Sequence, residues 1–237
     1  ADKSQQIAFT TSLGTTTSRI KQFVEIPVTD GPHETPHFQP NGVPFVSAEA
    51  VSTGELRLAD MRGYISDEDD ALYSRKYRPR RNDIFMVKSG ASTGTIAFVD
   101  TDEHFNIWSP LAVVRCGPTA DPRFVMYAMR SAPFQESVRL HWNYGTQQNI
   151  GMAVIENLPM PFPPVEQQIL IRRELDAEVN ELDATIADAR EAIALSRERR
   201  AALISAAVTG KIDVRQHPGA TVPESSQPLQ ERDNEVA

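Results

Sequence analysis

The sequence holds a single cysteine, Cys116, so no internal disulfide framework can form and the chain reads as one suited to a reducing cytoplasm. Cys116 follows the apolar run Ala112-Val113-Val114, which predicts a buried, inert thiol. No apolar stretch approaches the ~18 residues that a membrane span requires. The opening residues, Ala-Asp-Lys-Ser-Gln-Gln, are polar and lack the apolar core of a signal peptide, so a cytoplasmic location is expected. Positive charge is also scarce, for the formal net charge is −8. Taken alone, that sum argues against nucleic-acid binding.

Motifs for catalysis and metal binding are missing too. The five histidines (His33, His37, His104, His141 and His217) have no cysteine partner and form no H-E-x-x-H arrangement. His33 and His37 stand four apart, but in a proline-flanked loop rather than a helix, which favours a loop or interface role over a metal site. The stretch Lys88-Ser89-Gly90-Ala91-Ser92-Thr93-Gly94 lacks the spacing of a Walker phosphate loop. Gly145 is the only glycine between Gly117 and Gly151, so no dinucleotide fingerprint forms there. Nor is there the Asn-Pro-Pro-aromatic motif that amino-methyltransferases use. These absences predict a non-catalytic protein with no metal and no cofactor of its own.

What is present begins with a long run from about Val165 to Ala207. It starts after Pro163-Pro164, residues that suit a first helical turn because proline lacks the N–H left unpaired there. It contains no glycine or proline before Gly210. Leu175, Val179, Leu182, Ile186, Ala189, Ile193, Ser196, Arg200 and Leu203 alternate at spacings of four and three, an a/d seam over about four heptads. Such a helix is on the order of 60 Å long. Nothing else in the sequence is long enough to cover its stripe, so a partner helix from another chain is expected, most simply in a homodimer. Ser196 and Arg200 interrupt the seam near its end, as register-setting residues or as exposed ones.

Ahead of the helix the fold class reads as α+β. A flexible arm is expected over 1–18, a strand-rich mixed domain over 19–157, and a proline-rich hinge over 158–164. The helix and a short extension follow over 165–215, then a disordered tail over 216–237. Strands are expected at Ile20–Ile26, Asp83–Lys88, Thr95–Val99 and Phe105–Val114, with a short one at Lys211–Arg215. A helix is expected over Pro122–Val138, interrupted at Pro133. The acidic group Asp67-Glu68-Asp69-Asp70 reads as a solvated connection. Trp108 and Trp142 read as packing residues.

Three features suggest contact with nucleic acid. Arg75, Lys76, Arg78, Arg80, Arg81 and Lys88 crowd into one stretch, opposed in sequence only by Asp83, and suit phosphate contacts. Lys88, Ser89, Ser92 and Thr93 flank a glycine turn that permits close backbone approach. Asn143, Tyr144, Thr146, Gln147, Gln148 and Asn149 concentrate amides of the kind that pair with adenine edges. The plainer alternative is that these amides only satisfy loop backbone. His33 and Thr35, in the loop after Asp30, complete the candidate contact set.

These residues resemble the target recognition domains of type I restriction-modification specificity subunits. The resemblance is carried by Asp30-Gly31-Pro32-His33 with Gly42-Val43-Pro44-Phe45-Val46-Ser47, by Arg81-Asn82-Asp83-Ile84-Phe85-Met86-Val87-Lys88 with the turn that follows, and by Gly145-Thr146-Gln147-Gln148-Asn149-Ile150. Leu158–Gln168 resembles the family's hinge and helix start, and Arg199–Asp213 the end of its long helix. The resemblance implies a caliper in which each globular domain reads half of an interrupted double-stranded DNA site and long helices set the gap. It implies adenine methyltransferase partners that bind S-adenosylmethionine and, in restriction systems, a motor-nuclease subunit. Family members carry two recognition domains and two helices. One of each here implies either a natural half-subunit that dimerises or a piece of a longer chain. A protein-interaction module that dimerises through its helix and binds no DNA is the competing reading, and the acidic net charge favours it.

Overall fold

The structure is a computed structural model that describes residues 16–144 and 148–212. The expected arm through residue 15, the tail and extension from 213 onward, and Gly145, Thr146 and Gln147 lie outside the described residues. The described residues fall into two compact units that divide between residues 177 and 178.

The first unit is built around a four-stranded antiparallel sheet in the order β2-β8-β5-β6, formed by Thr29–Asp30, Leu111–Val114, Ile84–Val87 and Ile96–Phe98. All four residues of β5 and all four of β8 are buried. Successive side chains of a strand point to opposite faces, so a strand packed on both sides reads as an unbroken apolar run. Ile84, Met86, Ala112 and Val114 face one core, against Phe124, Ala128 and Met129 of helix α2 (Pro122–Arg130) and Phe134 and Val138 of α3 (Ala132–Leu140). Phe85, Val87, Leu111 and Val113 face a second core with Val46, Tyr77 and Ile107. That second core is backed by a three-stranded sheet, β4-β3-β7, of Gly63–Ile65, Val43–Val46 and Asn106–Ile107. The fold class is α+β, as expected.

Several local expectations need correction. Phe105–Val114 is two strands, not one. Trp108, Ser109 and Pro110 turn the chain, with the Leu111 N–H donating to the Trp108 carbonyl, so β7 joins one sheet and β8 the other. Proline supplies no N–H to a ladder, which is why the continuous run breaks there. Ile20–Gln22 is a 3-10 turn, not the start of a strand. Ile20 and Phe23, the residue that ends the turn, are buried and stand three apart, the period of that turn. The acidic group forms helix α1 (Asp67–Tyr73), capped by Ser66, whose side chain accepts from the Asp69 N–H. Four carboxylates in a first turn suit the positive end of the helix dipole. Asp70 there is not merely solvated, for it accepts from His104 and Asn106.

The expected hinge is packed into the first unit. Strand β1 (Thr17–Arg19), inside the stretch expected to be a loose arm, pairs antiparallel with β11 (Pro159–Pro161), and Leu158 and Met160 are buried in the α2 core. Between them in sequence lie the hairpin of β9 (Asn143–Tyr144) and β10 (Gln148–Asn149) and the short helix α4 (Met152–Asn157). Helix α5 spans Val165–Val208. Its first turns belong to the first unit, where buried Gln168 accepts from the Asp121 N–H at 2.8 Å and donates to the Pro163 carbonyl at 2.7 Å. Lys211 and Ile212 do not begin a strand; both N–H groups donate to the Ala206 carbonyl in a turn that closes the helix. The rest of that expected strand lies outside the described residues.

Candidate nucleic-acid interface

In the four-stranded sheet, the end of β2, the end of β5, the start of β6 and the start of β8 lie on one edge. Loops from four separate parts of the sequence therefore emerge together there. The Lys88 N–H donates to the Pro110 carbonyl at 2.8 Å, and the Ser109 N–H donates to the Pro32 carbonyl at 3.1 Å. The Ile150 N–H donates to the Lys88 carbonyl at 2.9 Å, and Ser89 bridges Asn149. The backbone thus fastens the amide hairpin directly onto the Lys88–Ser89 turn. Of the hairpin residues, Asn149 is exposed.

The turn itself is held from within. Gly90 and Gly94 have φ of 100° and 95°, values that side chains rarely adopt, and Thr93 Oγ1 donates to the Gly90 carbonyl at 2.7 Å. Thr93 is buried, whereas Ser89 and Ser92 are half-buried.

Beneath these loops sits Asp30, whose side chain is fully buried. Lys76 Nζ reaches its Oδ1 at 2.5 Å, Lys88 Nζ lies 3.4 Å from Oδ2, and His33 Nε2 lies 3.1 Å from Oδ2. The contacts to Oδ2 are ion-pair distances without aligned hydrogen bonds. A buried carboxylate needs such partners, because an unpaired charge out of water costs several kcal/mol. The backbone here admits no side chain on the next residue. A Cβ on Gly31 would stand 2.0 Å from the Ile107 carbonyl oxygen. His33 and Thr35 follow in an exposed loop, and Trp108 Nε1 donates to the Glu34 carbonyl at 3.1 Å. Burial, then the charges of Asp69 and Glu34, push the Tyr73 hydroxyl up to about 12, so it stays protonated beside that loop.

The basic stretch is not one cluster. Lys76 and Lys88 join Asp30 at the loop edge, and Lys88 is buried, with 11% of its side chain exposed. Arg78, Arg80 and Arg81 lead into the start of β5, the opposite edge of the sheet. Arg81 pairs with Asp102 at 2.8 Å, Arg80 stands 3.9 Å from Glu25, and Arg78 lies 3.3 Å from His104 Nδ1. Arg75 is exposed and has no acidic partner among the described residues. The opposing acids come from distant sequence, so the stretch is far less free than its local composition implies. Asp83, the one nearby acid, turns inward instead. It accepts from Tyr77 at 2.5 Å and takes a two-pronged contact from Arg115 at 2.7 Å on each oxygen.

Sequence reasoning missed Asp30 as an ionic centre. A lone aspartate before Gly-Pro looks like turn chemistry, and only the lysines brought to it distinguish it. Among the described residues no cluster of histidine, cysteine or acid could hold a metal ion. No described helix is long and apolar enough to cross a membrane.

On the helix, Leu175 is half-buried against the first unit, whereas every residue from 178 to 205 is exposed. The seam positions Val179, Leu182, Ile186, Ala189, Ile193 and Leu203 are all in that exposed stretch.

No family model and no curated protein matches the chain. Solved structures do. The S subunit of a type I restriction-modification system from M. genitalium matches with a TM-score of 0.50 at 18% identity, over 71% of this chain and 40% of that one. The HsdS subunit from Thermoanaerobacter tengcongensis matches with a TM-score of 0.57 at 19% identity, over 88% and 51%. A chain from a structure described as the basis of complex assembly and conformational transition of the type I restriction-modification system matches with a TM-score of 0.61 at 19% identity, over 85% and 50%. The fold is therefore that of type I specificity subunits, and this chain spans about half the length of the structures it matches.

Proposed function

We propose that this chain is a DNA specificity subunit of a type I restriction-modification or methylation-only system, reading one half of a bipartite duplex site. The observation that carries the proposal is the convergence at one sheet edge of the His33–Thr35 loop, the Lys88–Thr93 turn and the amide hairpin ending at Asn149. Small hydroxyl residues, the exposed Asn149 and a few cations gathered at one sheet edge suit groove readout better than they suit chemistry. The shared fold supports the same reading.

On this reading Lys88 acts as a buried counter-ion that shapes the turn, while exposed neighbours meet the bases. Lys76, Arg75 and the cations of the opposite edge supply phosphate contacts and the salt-dependent part of affinity. The exposed seam from Val179 to Leu203 pairs with a second long helix and sets the distance between half-sites. Pairing two identical copies makes the target palindromic. Catalysis belongs to partner subunits: an adenine methyltransferase that holds S-adenosylmethionine and, in restriction systems, a motor-nuclease. The second reading, a protein-binding module, is favoured by the acid partners of Lys76, Arg80 and Arg81.

The test is selection from a random-sequence duplex library on the protein in complex with its methyltransferase. An enriched bipartite motif with a fixed spacer is expected. A stable complex that enriches no motif overturns the proposal and leaves the protein-binding module.

A further inference from the structure

Beside the proposed interface lies an open cleft of about 400 Å³, between the Ser52–Gly54 loop and the Thr93–Ile96 turn, with Arg130 and Gln135 on its wall. Its lining among the described residues holds one cation and no acid.

Arg130 is anchored along one edge only. Its Nε donates to the Ile96 carbonyl at 3.3 Å, and its Nη2 donates to the carbonyls of Ile96 and Gly54. The guanidinium has five N–H donors in a fixed fork, so the two on Nη1 remain without an acceptor among the described residues. Among the described residues no carboxylate lies within ion-pair distance of it, unlike Arg81 and Arg115. Its two carbonyl partners hold the planar group in place, which lowers the ordering cost of engaging an anion. The Thr53 and Thr95 hydroxyls have no partner among the described residues, whereas those of Ser52 and Thr93 donate to the Glu49 and Gly90 carbonyls. Gln135 spends its amide donors on the Gly94 and Met129 carbonyls. Glu55, which follows Gly54 in the chain, is the acid whose charge acts on Arg130.

We infer that this cleft binds a phosphodiester of the DNA backbone, with Arg130 Nη1 and the Thr53 and Thr95 hydroxyls as donors. The inference rests on the DNA-reading proposal above. It extends that interface to a helix that no basic run in the sequence marks. Contact at the cleft positions the duplex and carries no base information, because a phosphate is the same at every step.

The experiment measures affinity against salt for the selected duplex, using the complex with methyltransferase and three variants. Arg130→Gln is expected to weaken binding about tenfold and to reduce the slope of log affinity on log salt by about 0.9, with the selected motif unchanged. Because Arg130 also ties two loop carbonyls, its variant is paired with Thr53→Ala, which leaves those bonds intact and is expected to weaken binding about threefold. Glu55→Gln, removing the opposing charge, is expected to strengthen it about twofold. Unchanged affinity and slope in all three, with the parent complex still selecting its motif, overturns the phosphate site alone. A parent complex that selects no motif overturns the DNA reading and this site with it. Titration with inorganic phosphate supplies the remaining arm: if it shifts the Arg130 side-chain NMR signals while duplex does not, the cleft is a small-anion site and the proposal fails.

Discussion

Asp83 and Arg115 show what single residues carry in this fold. Asp83 is 1% exposed and its two oxygens receive Arg115, Tyr77 and the Arg80 N–H. Burial first, then the Asp83 charge, pushes the Tyr77 hydroxyl well above its ordinary range, so it acts only as a donor. The Asp83 hydrogen bond in turn holds the Arg115 guanidinium charged. Replacing Asp83 by Asn leaves a half-buried guanidinium without its counter-charge, and a loss of about 3–5 kcal/mol in urea unfolding is expected. Cys116 gives a pH test. Burial, with Asp121 and Asp83 adding to it, pushes the thiol from 9.0 up to about 12. Between those values the unfolded chain releases a proton that the native chain keeps, so native stability falls as pH rises through that window. Urea midpoints that decline from pH 8.5 to 10.5, with the decline reduced in Cys116→Ala, are the expected result. Alkylation of the native thiol at pH 8 is expected to be slow for the same reason.

Among the elements, the joint between α2 and the start of α5 is built from polar contacts rather than from apolar packing alone. Gln168 is fully buried and bridges Asp121, Thr119 and Pro163. Asp176, two turns on, accepts from Tyr127 at 2.7 Å and pairs with Arg123 and Arg172. Gln168→Leu keeps the volume but strands the Asp121 N–H and the Thr119 carbonyl, at an expected cost of about 1–3 kcal/mol. Hydrogen exchange should locate that loss at the N-terminus of α2 and the first turns of α5. At the loop edge, Gly31→Ala forces a Cβ into the Ile107 carbonyl, and about 1–3 kcal/mol of destabilisation is expected. Because Asp30 precedes it, the same variant should also displace Lys76 and Lys88, visible as altered exchange in the 88–94 turn.

For the molecule as a whole, the second unit presents apolar side chains to solvent along its helix. Leu182, Ile186, Ile193 and Leu203 are 61%, 46%, 53% and 51% exposed, an apolar stripe of the kind that marks an interaction surface. On the proposed function these residues meet a second long helix. Leu182→Glu combined with Ile186→Glu is expected to abolish concentration-dependent association in sedimentation while leaving the melting of the first unit unchanged. A parent chain that stays monomeric across the concentration series would remove the homodimer from the proposal. A heterologous partner helix would then be required.

The sequence by itself determined whatever depends on neighbours along the chain. The unbroken apolar runs of Ile84–Val87 and Leu111–Val114, the proline in the first turn of α3 and the glycine- and proline-free run to Val208 are local patterns, and each specifies its own element. The long helix and the mixed strand-rich body were legible for that reason. Tertiary structure decided which distant segments meet. Local composition showed six cations with one acid. Folding brought Asp30, Glu25 and Asp102 to them and placed Arg78, Arg80 and Arg81 at the edge opposite Lys88. It also brought Asn149 to Ser89 and Arg130 to Gly54, pairs with no shared sequence pattern. Charge pairing and loop convergence are set by sheet order and strand direction, which local periodicity does not encode, so the site became visible only once the strands were paired.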